Sequence, residues 1–200
     1  MTDAPVRRTQ QERRAATRQA LLDAAIETLV DVGVTGFTTT EVVSRAGTSQ
    51  GALFKHFPSK ADLWTATIEH LFAAMRHDYQ EEVALQAPEV RSAALAIEQL
   101  WRQMHDVRLA AAFELYAVAR TDADLQASLE PVVREHVRGI HELSRLAVGD
   151  LADEEQLAGL VDLVVLAMQG LVLEEMAAPD PEVSDRLLAT IHALIEVGLT

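Results

Sequence analysis

Cysteine is absent from the 200 residues. Its absence excludes disulfides, thiolate metal sites and a cysteine nucleophile, and it fits a reducing compartment. Aromatic residues make up only 4%, so alanine, leucine and valine must carry the core, a mixture that leans towards helices. Low-complexity tracts and internal repeats are also missing. The N-terminal stretch is polar and arginine-rich and lacks an apolar run, which predicts no secretory signal. The longest uncharged apolar run, residues 163–173, is well short of the roughly 20 residues of a membrane helix. The expectation is a cytoplasmic protein without a membrane segment.

Basic residues are few, 17 Lys and Arg against 31 Asp and Glu, for a net charge of −14. Taken whole, that charge argues against nucleic acid. Its distribution argues the other way. Residues 1–60 hold eight basic and six acidic side chains, net +2, whereas residues 61–200 hold nine and twenty-five, net −16. A basic head on an acidic body follows, and a local basic patch is what phosphate binding requires. Arg7, Arg8, Arg13, Arg14 and Arg18 have two readings, an ordinary solvated helix face or an arm contacting phosphate or the minor groove.

Residues 1–8 read as an arm ending in Arg7 and Arg8. Apolar periodicity predicts a helix over 9–32, with Leu22, Ala25, Ile26, Leu29 and Val30 on one face and Gly33 as its stop. Thr38 with Glu41 makes a capping box for a short helix that ends at Gly47. Thr48 or Ser49 caps the next helix, which runs to about His56, and Phe57 before Pro58 leaves the helical region. Ser59 with Asp62 opens another helix. From there only helices follow, over roughly 60–84, 89–105, 108–120, 122–147, 153–178 and 182–198, with breaks at Pro88, Gly149–Asp150 and residues 178–181. No segment alternates long enough for a strand.

A helix, a tight glycine turn and a second short helix make the plan of a helix-turn-helix. Val42, Val43, Ala46, Leu53 and Phe57 are expected to pack inwards, which leaves Gln50, Gly51, Phe54 and Lys55 outside. A recognition helix reads base edges with its N-terminal part. Gln50 can pair with adenine, Gly51 removes bulk, Phe54 can touch a thymine methyl, and Lys55, His56 and Lys60 suit phosphates.

The stretch "GFTTTEVVSRAGTSQGALFKHFPSKADLW" (36–64) resembles the DNA-binding signature of TetR-type transcriptional regulators. Phe37, the Thr38–Thr40 cap, the Ala46–Gly47 turn, Leu53–Phe54, His56–Phe57 and residues 59–63 carry the match, and the likeness extends back to about residue 14. It implies a dimer that sets two recognition helices on a near-palindromic operator. By position, Gln50, Gly51, Ala52 and Phe54 would lie at the bases, and Thr38, Thr40, Lys55, His56 and Lys60 at or near the backbone. One departure stands out. The family often has tyrosine where this chain has Phe54, so the contact here should be apolar.

The acidic body should hold a sensor pocket and a dimer face. Trp101, Met104, His105, Phe113 and Tyr116 are bulky residues among alanines, and they read either as pocket wall or as plain core. Glu114 reads either as a partner for a cationic group or as a solvated edge. The effector is expected to be a small, largely apolar molecule. The histidines lack metal-ligand spacing, no catalytic or cofactor motif is present, and neither a metal nor a cofactor is expected. Residues 157–178 are apolar over most of the helix circumference and residues 185–199 carry a further apolar stripe, so a partner subunit is the expected cover. Leu160, Val164, Met168, Leu171, Leu187, Ile191, Leu194 and Ile195 are the expected interface, with a monomer's central helix as the other reading.

The sequence therefore predicts an all-α protein. Residues 1–58 form a helix-turn-helix domain, and residues 59–200 form a ligand-binding and dimerisation bundle. The expected function is a dimeric, effector-released repressor that binds double-stranded operator DNA. A helical ligand carrier or an enzyme using the apolar bundle is the alternative.

Overall fold

The computed structural model describes residues 9–84, 92–148 and 153–198. The arm with Arg7 and Arg8, Pro88, and the Gly149–Asp150 break lie outside the described residues, and the helix expected from 89 begins at Ala93, capped by Ser92 in extended conformation. Among those described there are nine helices and no strand, as the all-α reading expects. They are α1 (Gln10–Gly36), α2 (Thr39–Arg45), α3 (Gln50–His56), α4 (Lys60–Ala84), α5 (Ala93–Met104), α6 (Val107–Ala119), α7 (Ala123–Val148), α8 (Glu154–Glu175) and α9 (Pro181–Gly198). They form two compact units. The first comprises the chain up to Leu71 together with Ala110–Glu130, and the second comprises Phe72–Leu109 and the chain from Pro131. The chain changes unit inside α7 at Pro131, whose missing N–H interrupts the helical ladder.

In the first unit, α1 begins with a complete capping box. Thr9 accepts from the Glu12 amide at 3.1 Å, and the Glu12 carboxylate accepts from the Thr9 amide at 2.6 Å. The helix breaks at Gly33, whose φ of 65° and ψ of 179° belong to a region almost reserved for glycine. Leu21, Leu22, Ala25 and Leu29 are buried, whereas Ile26 is half-buried and Val30, expected on the same face, is exposed; α1 packs against α2 and α3. Val42, Val43, Leu53 and Phe57 are buried as expected, whereas Ala46, at the C-cap of α2, is only half-buried. His70 on α4 ties back to Asp23 on α1 at 2.9 Å.

In the second unit, Phe72 of α4 stacks on His136 of α7 with ring centroids 3.8 Å apart and planes 9° from parallel. Gln103 of α5 donates to the Met75 carbonyl at 3.2 Å. Helix α8 packs against α5 and α9 and buries Val164, Val165, Met168, Leu171 and Val172. At 22 residues and a mean hydropathy of 1.9, α8 is the one helix among those described that is long and apolar enough to cross a membrane. The uncharged run read from sequence is shorter because it stops at Asp162, which sits 2.8 Å from His141 of α7. A third of the apolar window is buried inside the chain.

Candidate functional site

The turn between α2 and α3 is built from local chemistry. Thr38 caps α2 by accepting from the Glu41 amide at 3.2 Å. The reciprocal half of the expected box is absent, because the Glu41 carboxylate accepts from Arg45 Nε at 2.8 Å instead. Arg45 also pairs with Asp31 and so joins α2 to α1. Gly47 closes α2 with φ of 61°. Its amide reaches the Ser44 carbonyl at 3.3 Å, and the Thr48 amide reaches the Val43 carbonyl at 3.0 Å, the two bonds of a Schellman stop. Of the two candidate caps for α3, Ser49 takes the role and accepts from the Ala52 amide at 3.2 Å. The Phe57 amide closes the helix on the Leu53 carbonyl at 2.8 Å. The Ser59–Asp62 box is complete.

This turn sets a polar and basic surface on the first unit. Gly51, Phe54 and Lys55 are exposed, Ala52 and His56 half-buried, and Phe54 leaves 46% of its surface to solvent. A Cβ on Gly51 would meet only Ser49 Oγ, at 4.0 Å, so the backbone there is open to approach. Arg14 and Arg18 of α1 join this face. Burial first, then the charges of Arg14, Arg18 and Lys55, hold His56 below the ordinary histidine range. Three cationic side chains thus stand close to His56 within a net acidic chain. Arg18 also lies over the Phe57 ring, 5.5 Å from its centre. The i, i+4 spacing of Arg14 and Arg18 was visible in the sequence, but their convergence on His56 was not.

Two expected contacts are placed differently from a free reading. Lys60 donates to the Phe37 carbonyl at 3.0 Å and sits 4.4 Å from the Trp64 ring centre. Burial lowers its pKa. Gln50 was expected to point outwards, yet its Nε2 donates to Thr40 Oγ1 at 3.2 Å and its Oε1 is buried without a partner. An orphaned buried acceptor costs about 1–3 kcal/mol.

The six candidate sensor residues fall into different units. Phe113, Glu114 and Tyr116 belong to the first, and Trp101, Met104 and His105 to the second. Phe113 and Met104 are buried. Burial pushes the Tyr116 phenol up to about 12. Glu114 has a structural partner, since its carboxylate accepts from the Val34 amide at 2.7 Å just beyond the Gly33 break. The His105 ring lies tilted against Trp101, with centroids 4.2 Å apart, and reaches Glu175 at 2.9 Å. Ser184 also donates to Glu175, and this bond, ahead of the one from His105, holds the Glu175 carboxyl below the usual range. Sequence reasoning missed two buried polar groups in the second unit. They are Gln99, 2% exposed with an unpartnered Nε2, and His136, with an unpartnered Nδ1.

Burial divides the expected dimer stripe. Val164, Met168, Leu171 and Ile191 are buried within the chain, while Leu160, Leu187 and Ile195 are half-exposed and Leu194 is exposed. The uncovered apolar side of α8 is Leu163, Leu166 and Leu173, in register with Gly159 and Gly170, where a Cβ would meet nothing within 4 Å. A helix that is apolar all round has two candidate stripes, and periodicity cannot tell which one the chain's own helices cover.

Comparison with known proteins bears on both halves of the chain. The family model described as bacterial regulatory proteins, tetR family, matches residues 21–67. Over 194 residues the chain is 31% identical to the HTH-type transcriptional regulator Rv2912c of Mycobacterium tuberculosis, covering 96% of this chain and 99% of that protein. It is 29% identical over 195 residues to the HTH-type transcriptional regulator CymR of Pseudomonas putida, covering 92% and 91%. Among solved structures, reduced NemR of E. coli superposes with a TM-score of 0.67 at 20% identity, covering 88% of this chain and 95% of that one. The multidrug binding protein EbrR complexed with ethidium gives a TM-score of 0.62 at 22% identity, covering 88% and 97%.

Proposed function

The chain belongs to the tetR family of bacterial regulatory proteins, DNA-binding regulators of transcription, and from that premise we propose that it is a homodimeric repressor released from a palindromic operator by a small apolar effector. The observation that carries this reading is the exposed face of α3, with Gly51, Phe54 and Lys55 beside Arg14 and Arg18, on a chain of net charge −14. Only a local basic face brings so acidic a protein to a polyanion.

Residues 1–58 are the proposed DNA-reading segment, and residues 59–200 the proposed effector and dimerisation segment. Gln50, Gly51, Ala52 and Phe54 meet base edges. Thr38, Thr40, Lys55, His56 and the remaining Lys60 hydrogens meet phosphates, joined by Arg7 and Arg8. A lysine ammonium has three donors, so the bond to Phe37 leaves capacity. The dimer forms through α8 and α9, on the bare stripe of Leu163, Leu166 and Leu173 with Leu194 and Val197. The spacing of 159, 163, 166, 170 and 173 alternates four and three, the register of helices that pack along their length. The effector binds in the sensor segment, where Trp101, Met104 and His105 of the second unit are the proposed contacts. A multidrug binding protein of like fold supports a small-molecule effector. It acts by favouring a state whose two reading heads no longer match half-sites about 34 Å apart.

Selection from a pool of random duplexes tests this. The expected outcome is an enriched palindrome whose affinity falls steeply as salt rises from 50 to 200 mM. Enrichment of no sequence would sink the reading.

A further inference from the structure

Gln50 opens α3, and Thr40 lies in the first turn of α2, ten positions earlier. A glutamine amide free in solution offers the major groove one acceptor and two donor hydrogens. That combination matches adenine, whose N6 amino donates and whose N7 accepts. Here the amide is not free. One Nε2 hydrogen goes to Thr40 Oγ1 at 3.2 Å, and Oε1 is buried in the protein with no partner. Nε2 keeps a second hydrogen, and that is the only polar group of the side chain without an assigned place, a donor without its acceptor.

We propose that Thr40 is a positioning residue that makes Gln50 a donor-only reader, so that the operator base facing Gln50 is guanine rather than adenine. Guanine presents N7 and O6, two acceptors and no donor, to the major groove, and a lone N–H satisfies that edge. Adenine would bring its N6 amino group against an amide with no acceptor turned towards it, and that donor would lose its water without a replacement. The inference rests on the reading of α3 as the base-reading element.

The test uses the full-length protein and a pool of duplexes randomised over two helical turns, about 20 base pairs. The position that Gln50→Ala relaxes identifies the base opposite Gln50. At that position the wild-type protein is expected to enrich guanine over adenine by about fivefold or more. Thr40→Val keeps the side-chain shape and removes the hydroxyl, so it should free the amide and raise adenine relative to guanine by a similar factor. Thr40→Ser keeps the hydroxyl and should keep the wild-type preference. The double variant Thr40→Val, Gln50→Ala should match Gln50→Ala alone. Circular dichroism checks that each variant is folded. Adenine at this position in the wild-type site overturns the proposal. So does a Thr40→Val variant that binds every sequence more weakly by one common factor, or a Gln50→Ala variant that relaxes no position. A wild-type chain that enriches no sequence overturns the regulator reading, and this proposal with it.

Discussion

Val34 and Glu114 are 80 positions apart and share one charged hydrogen bond. An ideal Cβ on Gly33 would lie 2.9 Å from the same carboxylate, so the glycine serves two needs, the unusual backbone angle and the room for Glu114. The sequence shows that Gly33 ends a helix, but no local pattern shows what fills the space beside it. His136 is a second case. Burial first, and Arg76 second, lower its pKa from 6.5 to about 4, and its ring is spent on stacking with Phe72. The folded chain therefore resists a proton that the unfolded chain accepts. Stability is complete above pH 6.5 and is lost as pH falls towards 4, by up to about 1.4 kcal/mol per pH unit. In His136→Phe, which keeps the stack and cannot titrate, the urea midpoint should fall less steeply across that window.

At the scale of the element, the reading head depends on one backbone stop and one cap. A Cβ on Gly47 would meet nothing within 4 Å, so Gly47→Ala adds no clash and isolates the left-handed strain at φ 61°. The expected cost is about 1–2 kcal/mol, read by chemical denaturation. Ser49→Ala removes the cap of α3 and should cost about 1 kcal/mol by the same measurement. Gly47 was legible in the sequence because the chemistry is local, and the cap was narrowed to Thr48 or Ser49. Glu41 was half-legible. Its place three residues after Thr38 suits a box, but Arg45 one turn further competes for the carboxylate and takes it. The start of α4 at Lys60 was read to the residue, since Ser59 and Asp62 mark it by side-chain type alone.

At the scale of the whole molecule, two stripes of α8 differ in burial. Met168 is fully buried against the chain's own helices, while Leu166 leaves 66% of its surface bare. Leu166→Asp is expected to leave the helical circular dichroism intact and convert the protein from dimer to monomer in sedimentation experiments, with a loss of operator affinity. Met168→Ala is expected to cost about 2–5 kcal/mol of fold stability instead. A Leu166→Asp protein that sediments as the wild type would remove this stripe from the interface.

Composition and local pattern alone determined the all-helical class, the segregation of charge, the helix starts and stops, and the turn that marks the DNA-reading head. These rest on interactions within about four residues, through caps, glycine angles and periodicity. The tertiary structure alone decided which stripe of α8 stays uncovered, that Glu114 closes a helix break, that Lys60 bonds to Phe37 and that Gln50 is held by Thr40. Each of these depends on which of several chemically equal partners the packing of distant helices brings within hydrogen-bond or contact range. Residue type and spacing along one helix leave that choice open.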